Sequence, residues 1–205
     1  MTPMTTQSGR NITLTSLRGR TVMLVPFLSL CQDVCPLTTG NLQVVQRSVA
    51  TARQGRRVTI VELSVDPARD SAARLAAYAR LNGIHWTLAR ADPAELAVLM
   101  RFFGITAERQ AEPSPPGQDW LTGRPLAYDV AHSDGFFILD AKGVERFVSG
   151  AEPHATGRLN PTLRRFLSAD GIKNLRSPPA NGWTPSDALR SLSWVTGSSI
   201  PLRGA

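Results

Sequence analysis

Apolar residues run almost unbroken from Val22 to Leu30, and a second run rich in Val and Ile spans Arg57–Val65. Runs of this length and β-branched content predict strands covered on both faces, the first of them at Thr21–Leu28. Between the two, Leu42, Val45, Val49 and Ala52 recur at helical spacing, which predicts a helix over Pro36 to Arg53 with the proline in its first turn. Asp66-Pro67 closes the second strand, and a helix is expected from about Ser71 to Leu81. Trp86–Ala89 reads as a short strand. Asp92-Pro93 then supplies a cap and first turn for a helix whose apolar face is Leu96, Leu99, Met100 and Phe103, ended by Gly104. Upstream, Ile12, Leu14 and Leu17 precede Gly19 and suggest a small hairpin or edge strand.

From Ile105 to Tyr128 the pattern is lost among Pro113, Pro115, Pro116, Gly117, Gly123 and Pro125, and the segment reads as one long loop. Such a loop inside a compact domain is uncommon and usually functional. Phe136–Asp140 and Val144–Ser149 predict a hairpin around Ala141-Lys142-Gly143, and Asn160-Pro161 starts a helix with Leu163, Phe166 and Leu167 facing inward. After Ala169 the composition changes. Ser177-Pro178-Pro179 is a break, and Thr184-Pro185 starts a short helix carrying Leu189, Leu192 and Val195. The chain therefore divides into a domain over 1–168 and a C-terminal extension over 169–205, whose docking surface the sequence leaves open. The order of elements is that of an α/β protein with a central mixed sheet flanked by helices.

At 205 residues the chain suits one core. Its net charge of +7 arises from 23 basic against 16 acidic residues, and Lys142 and Lys173 are the only lysines. Arginines scattered over a solvated surface account for this; an anionic membrane face or an acidic partner is the sharper alternative. No basic run is interleaved with aromatics, which argues against a nucleic-acid binder. No stretch reaches the roughly 18 apolar residues of a membrane span. Residues 1–20 show no secretory leader, so the sequence as it stands reads as soluble or trimmed.

The two cysteines of the chain stand four residues apart, in Cys31-Gln32-Asp33-Val34-Cys35-Pro36, where the first strand gives way to a helix. Backbone N–H groups converge at such a junction and are expected to favour thiolate at both sulfurs. About a hundred residues on, His132 precedes the next apolar strand. Two thiolates and an imidazole make a soft-metal ligand set suited to Cu(I), whereas zinc would usually want a fourth ligand. Asp66, His85 and His154 are candidates for a fourth, but none has a characteristic spacing. A purely structural disulfide, and a His132 that is merely hydrogen-bonded, are the plainer alternatives. Asp66 reads equally as a turn residue and as part of a site. His85 is expected to pack and His154 to be exposed.

A thiol pair after the first core strand, with a late hairpin and a closing helix, resembles the thioredoxin-like fold. More narrowly, Cys31-x3-Cys35-Pro36, the segment Ser64-Val65-Asp66-Pro67-Ala68-Arg69-Asp70, and His132-Ser133 ahead of Phe137-Ile138-Leu139-Asp140 resemble the Sco (SCO1/SenC) family. Those thioredoxin-like copper proteins assist cytochrome c oxidase assembly. The resemblance runs from about Gly9 to Leu167. It implies copper held by Cys31, Cys35 and His132, with Asp66 a nearby outer carboxylate. It also implies an acceptor in the copper-binding subunit of cytochrome c oxidase, or in another copper or thiol protein, and a setting on the extracytoplasmic face of a membrane. The sequence departs from the family at Leu28-Ser29-Leu30, where an aromatic-Thr run is usual. Thiol–disulfide reduction by Cys31 and Cys35 is the alternative function. Against it, Ala131-His132-Ser133 lacks the proline that thioredoxin-type oxidoreductases carry at this turn. A peroxidase is weaker still, because Leu28 stands where a Thr would be expected.

Overall fold

A computed structural model describes residues 2–155, 159, 161–165 and 167–203; the inward faces expected of Leu163 and Phe166 lie outside the described side chains. The chain opens with β1 (Met4–Thr6), β2 (Asn11–Ile12) and a single 3-10 turn at Thr15–Leu17. The first apolar run becomes β3 (Thr21–Phe27), and the cysteine loop leads into α1 (Val34–Thr51). Two β/α steps follow, β4 (Val58–Ser64) with α2 (Ala72–Asn82) and β5 (Thr87–Arg90) with α3 (Pro93–Phe103), then the unforeseen strand pair β6 (Ala107–Gln110) and β7 (Asp129–His132). The hairpin β8 (Phe136–Leu139) and β9 (Glu145–Ser149) precedes three helices, α4 (Pro161–Arg164), α5 (Ala169–Arg176) and α6 (Pro185–Thr196).

Seven strands form one mixed sheet in the order β2-β1-β5-β4-β3-β8-β9, so the expected α/β architecture of thioredoxin-like layout is present. β3 and β4 pair in parallel over their full length, from Thr21↔Val58 to Phe27↔Ser64, and β5 continues the parallel set. All three therefore point their C-terminal ends at one pole of the molecule, where the cysteine loop begins. β8 runs antiparallel to β3 only as far as Leu24↔Phe137. Pro26 lies past that last pair, which explains how a central strand accommodates a residue without an N–H.

The sheet is buried on both faces, as the continuous apolar runs require. One face (Met23, Val25, Phe27 and Ile60) packs under α1, α2 and α6 through Leu42, Val45, Leu75, Tyr78, Leu189 and Leu192. The other face (Val22, Leu24, Val61 and Leu63) meets Leu96, Leu99 and Phe103 of α3. The C-terminal extension thus docks on its own chain and helps to fill the core. Trp183 stacks edge-on to Phe136 at 5.1 Å, and the amide of Asn41 in α1 donates to the Trp183 carbonyl. α6 starts with a reciprocal Thr184–Asp187 capping box and ends at Gly197, whose φ of +62° needs the left-handed conformation.

Two histidines differ from expectation. His85 is exposed, because packing in its segment falls to its neighbours Ile84 and Trp86. His154 is half-buried: its backbone N–H donates to the Trp183 carbonyl, which draws it under the tail.

Candidate metal centre

The residues that matter here come from two separate parts of the chain, and each part is held by its own supports. Ser29, just before the cysteines, is fixed by the buried carboxylate of Asp70. That carboxylate accepts the Ser29 N–H and hydroxyl and, at 2.6 Å, the Ser64 hydroxyl. Cys31 follows in the loop, Asp33 is the N-cap residue of α1, and Cys35 lies in its first turn. Pro36 comes next, at a first-turn position whose N–H has no helical partner to lose. His132 ends β7, and its register is set by pairing opposite Ala107 of β6. Beyond the pair, the Ser133 N–H donates to the Thr106 carbonyl, and the Thr106 N–H returns a bond to the Ser133 hydroxyl.

The donor atoms of Cys31, Cys35 and His132 lie within 4.8 Å of one another, the single such group among the described residues. Both cysteines are free thiols. The Cys35 sulfur is 3.3 Å from His132 Nε2, and the Cys35 N–H points at the Cys31 sulfur from 3.4 Å. The other imidazole nitrogen, Nδ1, lies 2.8 Å from the Ser133 carbonyl, an oxygen that can only accept. Nδ1 therefore carries the proton and Nε2 keeps its lone pair for the sulfurs or for a metal. A metal with bonds of about 2.0–2.3 Å to nitrogen and sulfur holds three donors about 4 Å apart, so the group fits one with little movement.

The two thiols are not equivalent. Hydrogen bonding from the Cys35 thiol holds the Cys31 thiol well below its usual range. Burial opposes this, but His132 adds to the lowering and the net direction is down. Burial pushes the Cys35 thiol well above the usual range, and its hydrogen bond to Cys31 pushes the same way. Depressed pKa at both sulfurs is thus corrected to one: hydrogen bonding from Cys35 serves Cys31, while Cys35 itself is only 2% exposed. Burial opposes the imidazolium of His132, but hydrogen bonding and attraction from Cys31 raise its pKa overall. Asp33 and Asp134 stand close by, each raised to about 6, by burial first and then by the charge on Cys31.

Asp66 is not drawn into this group. Its carboxylate pairs with Arg69 and accepts the Tyr128 hydroxyl at 3.1 Å, beside a cavity of about 250 Å³ lined by Pro67, Leu96, Met100 and Arg109. Arg69 lies 3.7 Å above the Tyr128 ring. Of the segment that opens with Ser64, it is Asp70 that reaches the cysteine loop.

Two further supports were not visible in the sequence. In the proline-rich loop, Arg74 of α2 grips Asp119 with two bonds of 2.7 and 2.8 Å, and the adjacent Trp120 donates its indole N–H to the Ser29 carbonyl. The Gln32 side chain in turn donates to the Gln118 carbonyl. From the opposite side, α5 leans on the same turn. The Ser168 N–H donates to the Gln32 carbonyl and the Asn174 amide to Asp33. Gly171 makes the approach possible, since a Cβ there would lie 2.7 Å from the Gln32 carbonyl oxygen. The loop between the two sulfurs is therefore pinned from both flanks.

No helix among the described residues is long and apolar enough to cross a membrane. A model of the SCO1/SenC family matches residues 3–158. The SCO1 protein homolog of Bacillus subtilis is 28% identical over 144 residues, covering 68% of this chain and 70% of that protein. Among solved structures, copper-bound ScoI of Bradyrhizobium japonicum superposes with a TM-score of 0.60 at 24% identity, over 84% of this chain and 96% of that one. Copper-bound ScoI of Arabidopsis thaliana gives 0.61 at 20% identity, over 72% and 84%. Fold, thiol loop and family match agree, and the chain belongs to the SCO1/SenC family.

Proposed function

We propose that this protein is a copper carrier that holds Cu(I) or Cu(II) at Cys31, Cys35 and His132. It passes the ion by ligand exchange to the copper-binding subunit of cytochrome c oxidase, or to another copper or thiol protein. The observation that carries this reading is the meeting of two free thiols with an imidazole nitrogen whose tautomer is already fixed. Two sulfurs and one nitrogen suit the low coordination number and softness of Cu(I). That the similar ScoI proteins have copper-bound structures supports the same cargo. Asp66 stands outside the ligand set, paired with Arg69 and Tyr128. The carrier works on the extracytoplasmic face of a membrane, as the family resemblance implies.

A second reading, thiol–disulfide reduction, is favoured by the inequality of the thiols. Cys31 as thiolate would attack a substrate disulfide and expel one substrate thiolate, forming a mixed disulfide. Cys35, once deprotonated, would then attack the Cys31 sulfur and release the second thiolate. The substrate is reduced by two electrons and the Cys31–Cys35 pair is oxidised.

Titration of the reduced protein separates the two. The carrier reading expects one tightly held copper, with sulfur-to-copper charge-transfer absorption for Cu(II). It also expects His132→Ala to weaken copper retention by at least the 10- to 100-fold that loss of an outer partner typically causes, with dithiol oxidation intact. Unchanged copper affinity together with lost reductase turnover in His132→Ala would replace the first reading by the second.

A further inference from the structure

The pole opposite the thiol loop has a chemistry of its own. The N-terminal ends of β3 and β4 and the β8–β9 turn meet there: the Gly19 N–H donates to the Ala141 carbonyl, and the Thr21 N–H to the Arg57 carbonyl. The three turns so joined, residues 18–20, 53–57 and 140–144, contain Arg18, Arg20, Arg53, Arg56, Arg57 and Lys142; their one acidic residue, Asp140, is paired with Arg146 at 2.9 Å. Of the basic residues, all but the partly covered Arg20 are exposed. Five of the chain's 21 arginines and one of its two lysines stand at this pole.

The tail brings apolar groups to this pole. The Arg57 guanidinium donates to the Ser198 hydroxyl and the Thr196 carbonyl, tying the C-terminal end of α6 to the basic turns. One turn back on that helix, Trp194 is 67% exposed, and Leu202, just beyond it in the chain, is 44% exposed. Leu202 is fixed nearby, because the Arg203 N–H donates to Ser48 near the end of α1. An exposed indole bordered by arginines matches the boundary of a bilayer, where the ring sits among headgroups and the cations face anionic phosphates.

We infer that this basic pole, with Trp194 and Leu202 at its edge, docks on an anionic lipid surface and turns the thiol loop away from the membrane. Charge complementarity selects anionic over zwitterionic lipid, and the exposed indole selects a bilayer over a merely acidic polypeptide. The inference does not depend on what the thiol loop carries.

Vesicle binding of the metal-free full chain tests it. Vesicles of phosphatidylcholine with phosphatidylglycerol should bind the protein, phosphatidylcholine alone should not, and high salt should release it. Of the four tryptophans, Trp86 and Trp183 are buried and Trp120 is partly covered, so brominated acyl chains should quench Trp194. Trp194→Phe should remove that quenching. Arg18→Glu, Arg56→Glu and Lys142→Glu together should cut partitioning by more than a hundredfold, since each basic residue near an anionic surface is worth roughly fivefold. The salt and quenching results on the unaltered chain stand even if that variant folds poorly. No binding to anionic vesicles, or binding without quenching of Trp194, overturns the inference. So does tighter binding to poly-glutamate than to vesicles, which would mark the pole as a site for an acidic protein.

Discussion

Glu62 is a buried acid with only half of its carboxylate engaged among the described residues. It lies on β4, wholly buried; one carboxylate oxygen accepts the Trp86 indole N–H at 2.6 Å, and the other has no hydrogen-bond partner among the described residues. Burial raises its pKa from 4.5 to about 8, against a smaller lowering by Trp86. Between those two values the folded chain binds a proton that the unfolded chain has released, so stability falls as pH rises, by up to about 1.4 kcal/mol per pH unit. Glu62→Gln should remove this slope: urea unfolding from pH 5 to 8 should show a flatter profile than the parent, with the largest gain at pH 8. Asp70 is the opposite case, buried but fully engaged by Ser29 and Ser64. Asp70→Ala strands two hydroxyls and a backbone N–H, which should cost about 3 kcal/mol in the same measurement and loosen the loop ahead of Cys31. Cysteine spacing identifies the thiol pair from sequence, and Asp66 stands out because it precedes a proline. Asp70 carries no comparable mark. Its importance comes from Ser29, 41 residues away, a proximity created only when β3 and β4 pair.

At the level of elements, the core strands and the first three helices follow directly from their periodicity, with boundaries moved by a residue or two. The segment read as one loop over 105–128 hides β6, which is neither apolar nor alternating: Glu108, Arg109 and Gln110 are all exposed. The strand forms because it pairs with β7, a preference that no local pattern encodes. α5 is hidden for a similar reason, since its glycine and its charged residues make a poor helix signal until it rests on Gln32 and Asp33. That contact is open to a test without any metal. Gly171→Val would force a side chain against the Gln32 carbonyl and the Asp33 Cα, at 2.7 and 3.1 Å. It should lift α5 from the loop and speed alkylation of Cys31 by about tenfold, the effect of opening the contact by about 1.4 kcal/mol. An unchanged alkylation rate would show that α5 does not guard the loop.

For the whole molecule, the boundary near residue 168 that composition suggests does not coincide with an edge of the core. Trp183, Ala188, Leu189, Leu192 and Ile200 are all buried among residues of the first 168. A chain ending at 168 should expose that face and fail to unfold cooperatively, as measured by heat denaturation and dye binding. The amphipathic spacing of α6 was legible; its target was not, because a single apolar stripe fits its own sheet as well as a stranger's. Burial also makes the thiol centre one-sided. Cys35 is enclosed by the α1 side of the core while Cys31 and His132 retain contact with solvent. In the carrier proposed above, a receiving protein would meet Cys31 and His132 before Cys35, so hand-over would run donor by donor and end at the innermost sulfur.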